Sequence, residues 1–226
     1  MKKVKTVIFD LDNTLIDFMQ MKKESCKAAV QAMISSGLQM SREEAYSRLL
    51  KTYFKVGIES NQAFTQFLLE NNQFTHKILA AAINQYLETK SGLLESYPQV
   101  ESTLIQLSEK GVLLGIVTDA PKTKAYQRLM KLGIEKYFRF VVGFEDTNSQ
   151  KKTGLPLTLA LELIRKQIPD IKNGEILMVG DSITRDLNPA KKLGMRTALA
   201  KYGQKEEEKG TSDYELESID DLIKIV

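Results

Sequence analysis

Several short apolar runs in this chain open directly onto polar side chains, and that punctuation restricts the fold more than any other feature. Val7-Ile8-Phe9 ends in Asp10-Leu11-Asp12, Ile116-Val117 in Thr118-Asp119, and Ile176-Leu177-Met178-Val179 in Gly180-Asp181-Ser182. Unbroken apolar runs of this length suit strands buried on both faces, as parallel strands are. From Gly92 onward strand-like and helix-like segments alternate, which points to parallel strands joined by crossover helices. The C-terminal strand ends of an open parallel sheet share one edge. Asp10, Asp12, Thr118, the Lys151-Lys152 doublet and Asp181 are therefore expected at a single crevice, although they are far apart in sequence. Residues two apart on an extended chain point the same way, so Asp10 and Asp12 are expected to crowd their carboxylates together. A divalent cation that prefers oxygen ligands, such as Mg2+, relieves that repulsion and leaves both groups ionised.

Residues 17–91 break the alternation, with helical periodicity and no proline. Helices are expected at 18–36, closed by Gly37, then from Ser41, where Glu44 completes a capping-box pattern, then at 61–70 and 75–90. Ala63, Phe64, Phe67 and Leu68, then Ile78, Leu79, Ala82, Ile83, Tyr86 and Leu87, recur at helical steps and form packing stripes. His76 is expected to be a surface or capping side chain. The fold class predicted is α/β, a Rossmann-like core with a central parallel sheet flanked by helices, carrying an inserted all-helical domain. The core takes residues 1–16 and 92–226, and the insertion takes 17–91. Within the core, helices are expected at 99–110, after Pro121, after Pro156, near Ile183 and at 218–226; strands are expected at 112–117, 138–144, 175–179 and 196–200. Pro189 fits only in an early helical turn or at a kink. Glu206-Glu207-Glu208-Lys209 reads as solvated surface.

At 226 residues and 42% hydrophobic, the chain has the material for one large domain carrying an insertion. A net charge of +3 from nearly balanced acids and bases does not imply nucleic acid, and the lysine doublets lack interleaved aromatics. The single Cys26 cannot form an internal disulfide, and there is no Cys/His cluster for zinc. The basic start Met1-Lys2-Lys3 faintly resembles a signal peptide, but Asp10 and Asp12 interrupt the apolar run. A soluble, cytoplasmic protein without a membrane partner is expected.

Taken together, the strand-end groups form a chemically complementary set. Carboxylates hold a cation, a hydroxyl and a lysine bind oxyanion oxygens, and small residues let backbone amides approach a phosphate. Such a set suits phosphoryl transfer, one carboxylate attacking phosphorus and another moving protons.

These motifs resemble those of the haloacid dehalogenase superfamily of phosphohydrolases. Asp10-Leu11-Asp12-Asn13-Thr14 matches its DxDxT motif, and the resemblance implies that Asp10 is the nucleophile and Asp12 the general acid/base, with the Asp12 backbone carbonyl ligating Mg2+. Thr118 matches the second motif, with Asp119 where many relatives carry asparagine. Aligning Pro156-Leu157 and Ala160 selects Lys151 as the third-motif lysine, with Lys152 as the alternative. Gly180-Asp181-Ser182 and Asp186 match the fourth, with Asp181 a direct metal ligand and Asp186 acting through water or holding the loop. The implied phosphate-binding set is Asp10, Leu11, Asp12, Thr118, Asp119 and Lys151. Metal ligation falls to Asp10, Asp12 and Asp181, with Thr14, Ser182 and Asp186 supporting them from behind. The insertion resembles the helical cap of one subclass, which closes over the leaving group and selects substrate. Lys22 or Lys23 in it is a candidate contact for an anionic substrate. The expected activity is Mg2+-dependent hydrolysis of a small phosphate monoester through an aspartyl phosphate. A sugar phosphomutase, a phosphonate hydrolase using a cap lysine, and a catalytically silent phosphate-binding protein are the alternatives.

Overall fold

The computed structural model describes residues 3–226; Met1-Lys2, part of the basic start, lie outside the described residues. The chain folds as two compact units, one joining the segment that ends at Asp17 to the segment that begins at Glu95, the other formed by Phe18–Leu94.

The strands of the first unit are β1 (Thr6–Phe9), β2 (Leu113–Val117), β3 (Phe140–Val142), β4 (Ile176–Gly180), β5 (Arg196–Ala200) and β6 (Tyr214–Leu216). They form a six-stranded sheet in the order β3-β2-β1-β4-β5-β6, with every pairing parallel. The order reverses between β1 and β4, so the chain leaves these neighbours in opposite directions and opens a crevice at their C-terminal ends. Every residue of β1 is buried, as its position between β2 and β4 requires. Phe9 lies level with Ile116 on one side and Val179 on the other. That register makes Asp10 the first residue past the apolar core, beside the ends that carry Thr118 and Asp181.

Helices α5 (Val100–Glu109), α6 (Lys122–Lys131), α7 (Leu155–Gln167), α8 (Asn188–Lys192) and α9 (Leu222–Ile225) complete this unit. Leu157, Ala160, Leu161 and Ile164 of α7 recur at helical spacing and pack with Ile8, Val117 and Met178 of the sheet.

The second unit contains α1 (Phe18–Ser35), α2 (Arg42–Val56), α3 (Ala63–Glu70) and α4 (His76–Gly92). Its core joins Cys26, Ala29, Val30 and Met33 of α1 to Phe64, Phe67 and Leu68 of α3 and Ile78, Ala82 and Tyr86 of α4. The Ser41 hydroxyl accepts the Glu44 amide at 3.3 Å, which is half of the expected capping box, because the Glu44 carboxylate pairs with Arg48 at 2.7 Å instead. The expected α4 stripe is narrower than its apolar residues suggest: Ile83 and Leu87 are 37% and 55% exposed. No helix of the described residues is long and apolar enough to cross a membrane.

Two local differences from the sequence expectation have physical causes. The helix near Ile183 begins as a wide π-helical turn, Ile183–Leu187, and Pro189 enters only at the start of α8. Proline has no amide hydrogen and its ring crowds the carbonyl four residues back, so regular α-helix cannot run through it undisturbed. Strand β6 is the other. At three residues it is too short to show an alternation, and its pairing with Ala198–Ala200 of β5 is what defines it.

Candidate active site

Asp10 is held by its backbone and by both carboxylate oxygens. Its amide donates to the Val179 carbonyl at 2.9 Å, continuing the β1–β4 ladder one residue past the strand. The chain then turns through Asn13, at φ 63°, in a left-handed conformation that asparagine tolerates. This turn brings the Thr14 hydroxyl back to donate to Asp10 Oδ2 at 3.1 Å. The Lys151 ammonium bonds the other oxygen of Asp10 and lies 2.6 Å from Asp186 Oδ1. Lys151 is buried in the short turn Lys151–Thr153 that leads into α7, and its amide donates to Asp119 Oδ1 at 2.7 Å. Lys152 is exposed. Of the doublet, Lys151 is the one that reaches the acids.

Asp181 follows β4, and Asp186 is delivered by the π-helical turn. The Ser182 amide donates to Asp186 Oδ2 at 3.1 Å, and the Ser182 hydroxyl accepts the Arg185 amide at 3.1 Å. Gly180 is required here, because a Cβ would run into the Asp186 carboxylate. Carboxylate oxygens of Asp10, Asp181 and Asp186, all buried, lie within 4.8 Å of one another.

The electrostatic balance is incomplete. Burial, reinforced by the charges of Asp10 and Asp186, pushes the Asp181 carboxyl up to about 8, and Arg185 at 3.5 Å offsets this only in part. Burial also raises Asp186, against the pull of Lys151. For Lys151 the cost of burial is outweighed by Asp10, Asp186 and Asp119, which hold the ammonium well above its ordinary range. Asp181 Oδ1 is buried and makes no hydrogen bond among the described residues. An all-oxygen donor set with surplus negative charge and an unused buried oxygen fits a hard divalent cation such as Mg2+.

Asp12 faces a different partner. Its carboxylate is not in this cluster but accepts from Arg128 Nη1 at 2.9 and 2.7 Å. Arg128 lies on α6, buried beside Ala125 and Leu129, and sequence reasoning missed it. The α6 sequence puts this cation beside buried apolar residues, but nothing local names its partner, which lies 116 residues away. The Thr118 hydroxyl oxygen accepts the Ala120 amide at 3.1 Å, which leaves its proton free to donate elsewhere. The Leu11 carbonyl accepts the Leu15 amide at 2.9 Å and closes the loop that carries both aspartates. In the helical unit, Lys22 is buried. Its ammonium donates to Tyr86 Oη at 2.8 Å and sits 3.3 Å from the centre of the Tyr53 ring. Lys23 is exposed, and His76 opens α4 with its ring centroid 5.3 Å from that of Phe74.

Comparison with known proteins identifies the family. Residues 7–200 match the model of the haloacid dehalogenase-like hydrolases. The chain is 31% identical to the glyceraldehyde 3-phosphate phosphatase of Methanocaldococcus jannaschii, covering 99% of this chain and 97% of that protein. It is 26% identical to the phosphoglycolate phosphatase of Aquifex aeolicus, with 99% and 97% coverage. Among solved structures it is similar to a HAD phosphatase from Thermococcus onnurineus, with a TM-score of 0.69 and 25% identity over 98% of this chain and 97% of that one.

Proposed function

Since the chain belongs to the haloacid dehalogenase-like hydrolase family and is a phosphatase within it, we propose that it hydrolyses a small phosphate monoester, with Mg2+, through an aspartyl phosphate on Asp10. The observation that carries this reading is the buried cluster of Asp10, Asp181 and Asp186 around the Lys151 ammonium, with a carboxylate oxygen left over. Asp10, Asp181 and the Asp12 carbonyl would hold Mg2+, with Asp186 behind them. Bound there, such a cation would neutralise the crowded acids and would supply Lewis-acid polarisation of a phosphoryl oxygen.

The chain's own residues supply the remaining chemistry. Thr14 and Lys151 fix the two oxygens of Asp10, which orients the carboxylate for in-line attack on phosphorus. The Thr118 hydroxyl and the Lys151 ammonium donate to phosphoryl oxygens as negative charge builds on them. Asp12 gives its proton to the departing alkoxide as the P–O bond breaks. It then takes a proton from the water that cleaves the aspartyl phosphate. Arg128 Nη1 holds the Asp12 carboxylate in place with two hydrogen bonds, at 2.9 and 2.7 Å.

The full-length similarity to glyceraldehyde 3-phosphate phosphatases supports a three-carbon phosphate as the substrate class, with phosphoglycolate next. The test is release of inorganic phosphate from glyceraldehyde 3-phosphate, phosphoglycolate and p-nitrophenyl phosphate, with and without Mg2+. Asp10→Asn is expected to lose about three orders of magnitude or more in kcat while keeping its circular dichroism spectrum. Turnover retained in that variant removes Asp10 from the nucleophile role. Phosphate that migrates on a sugar phosphate instead of being released points to a mutase.

A further inference from the structure

Residues 201–213, between β5 and β6, connect the two loops that carry the acids. Tyr202 Oη donates to the Thr14 carbonyl at 2.8 Å, and Lys205 pairs with Asp17 at 2.8 Å. Gly203 packs so closely on the Asn13 carbonyl that a Cβ has no room. These contacts tie the segment to the first aspartate loop. Its other end ties to the π-helical turn. Glu208, in the tract that reads from sequence as solvated surface, accepts the Ser182 hydroxyl at 2.7 Å with one oxygen and the Thr184 amide at 2.7 Å with the other.

The Ser182 contact has a directional consequence. A serine hydroxyl has one proton, and giving it to Glu208 turns the oxygen lone pairs toward the Arg185 amide, which they accept at 3.1 Å. Both oxygens of Glu208 therefore pin the turn between Asp181 and Asp186, from a part of the chain 26 residues away from Ser182. The Glu208 contacts are charge-assisted, the stronger kind of hydrogen bond. Their donors hold the Glu208 carboxyl below its ordinary range although its partial burial pushes the other way.

We propose that Glu208 is a positioning residue for the cation site. By fixing the 182–185 backbone it keeps the Asp181 and Asp186 carboxylates turned toward Asp10, and so it sets cation affinity without touching substrate or cation. The proposal rests on the Mg2+ reading given above. Residues that orient metal ligands from behind typically contribute about 10-fold or more to metal affinity.

The experiment is calorimetric titration of the intact protein with Mg2+, alongside Mg2+ titration of kcat, for wild type, Glu208→Ala, Glu208→Gln, Ser182→Ala and the Glu208→Ala/Ser182→Ala double variant. Glu208→Ala is expected to raise the Mg2+ Kd about 10-fold, with kcat at saturating Mg2+ within about twofold of wild type. Glu208→Gln, which keeps one acceptor and the side-chain volume, falls between them and serves if the alanine variant folds poorly. The double variant is expected to bind Mg2+ no more weakly than the worse single variant, because both changes release one turn. An unchanged Kd in both Glu208 variants overturns the proposal, as does a kcat loss at saturating Mg2+ with unchanged Kd. Fully additive losses overturn the route through Ser182. Absence of Mg2+ binding by wild type is a separate result and overturns the cation reading itself.

Discussion

Lys151 and Lys22 are the buried lysines among the described residues, 3% and 2% exposed, and their surroundings could hardly differ more. Lys151 lies among acids, bonded to Asp10 and Asp186. Lys22 lies against aromatic rings, donating to Tyr86 Oη at 2.8 Å with its charge over the Tyr53 face. Removing an ammonium from water costs several kcal/mol in either place, and the compensation reveals what each place is for. Around Lys22 the compensation includes ring quadrupoles and a hydroxyl, beside a core that joins Cys26 and Phe64. Around Lys151 the acids outnumber it, and the excess negative charge remains as a demand for a further cation. Burial of a charge alone therefore does not mark a reacting group. An unbalanced surrounding does.

Between the two lysines, the larger expected effect belongs to the one among the acids. Lys151→Met should lower kcat about 10²- to 10³-fold on p-nitrophenyl phosphate, because it removes a preorganised donor to phosphoryl oxygens. The variant should also depend on Mg2+ for thermal stability more than wild type does, since Asp10 and Asp186 lose their internal counter-charge. Thermal melts with EDTA and with Mg2+ measure this, and equal Mg2+ responses in the two proteins would contradict the charge balance drawn here.

A smaller effect follows from the Asp181 carboxyl, which burial and its acidic neighbours raise from 3.8 to about 8. Between those values the folded protein holds a proton that the unfolded chain has already released. The metal-free protein therefore loses stability as pH rises through that window, and Mg2+ restores more of it at pH 8 than at pH 5. Asp181→Asn removes the titrating charge. It is expected to raise the metal-free Tm at pH 8 by about 2–6 °C, to flatten the pH slope and to remove most of the Mg2+ response. Calorimetry at both pH values decides it: parallel slopes for wild type and variant would locate the surplus charge elsewhere.

What the sequence disclosed follows from the kind of physics involved. Asp10, Thr118 and Asp181 were legible because buried strands are apolar and their ends are abrupt, and parallel topology then brings those ends to one edge. Lys151 was favoured over Lys152 by aligning Pro156-Leu157 and Ala160, and in the fold the backbone bond from Lys151 to Asp119 turns its side chain toward the acids. Arg128 and Glu208 were missed for a physical reason. Each acts through a partner more than twenty residues away, 116 for Arg128 with Asp12 and 26 for Glu208 with Ser182, and local pattern carries no record of such pairs. In the helical unit the caps at Ser41 and Thr75 were local and readable, whereas which apolar residues of α4 remained exposed depended on packing.

The smallest expected effect belongs to the other lysine. Lys22→Met keeps an unbranched stem of similar length and removes the ammonium. The hydrogen bond to Tyr86 is worth about 1 kcal/mol and the attraction to the rings about 0.5–2 kcal/mol, while relief of the desolvation penalty is of the same order or larger. Stability should therefore stay within about 2 kcal/mol of wild type and tend upward, with Mg2+ affinity unchanged and kcat on p-nitrophenyl phosphate within about threefold. Cys26 supplies an independent readout. Burial pushes its thiol up to about 11, and the Lys22 charge pulls the other way. Losing that charge should slow the thiol's reaction with a disulfide reagent still further. A tenfold fall in turnover for Lys22→Met would erase the distinction between the two lysines and assign both to the reaction.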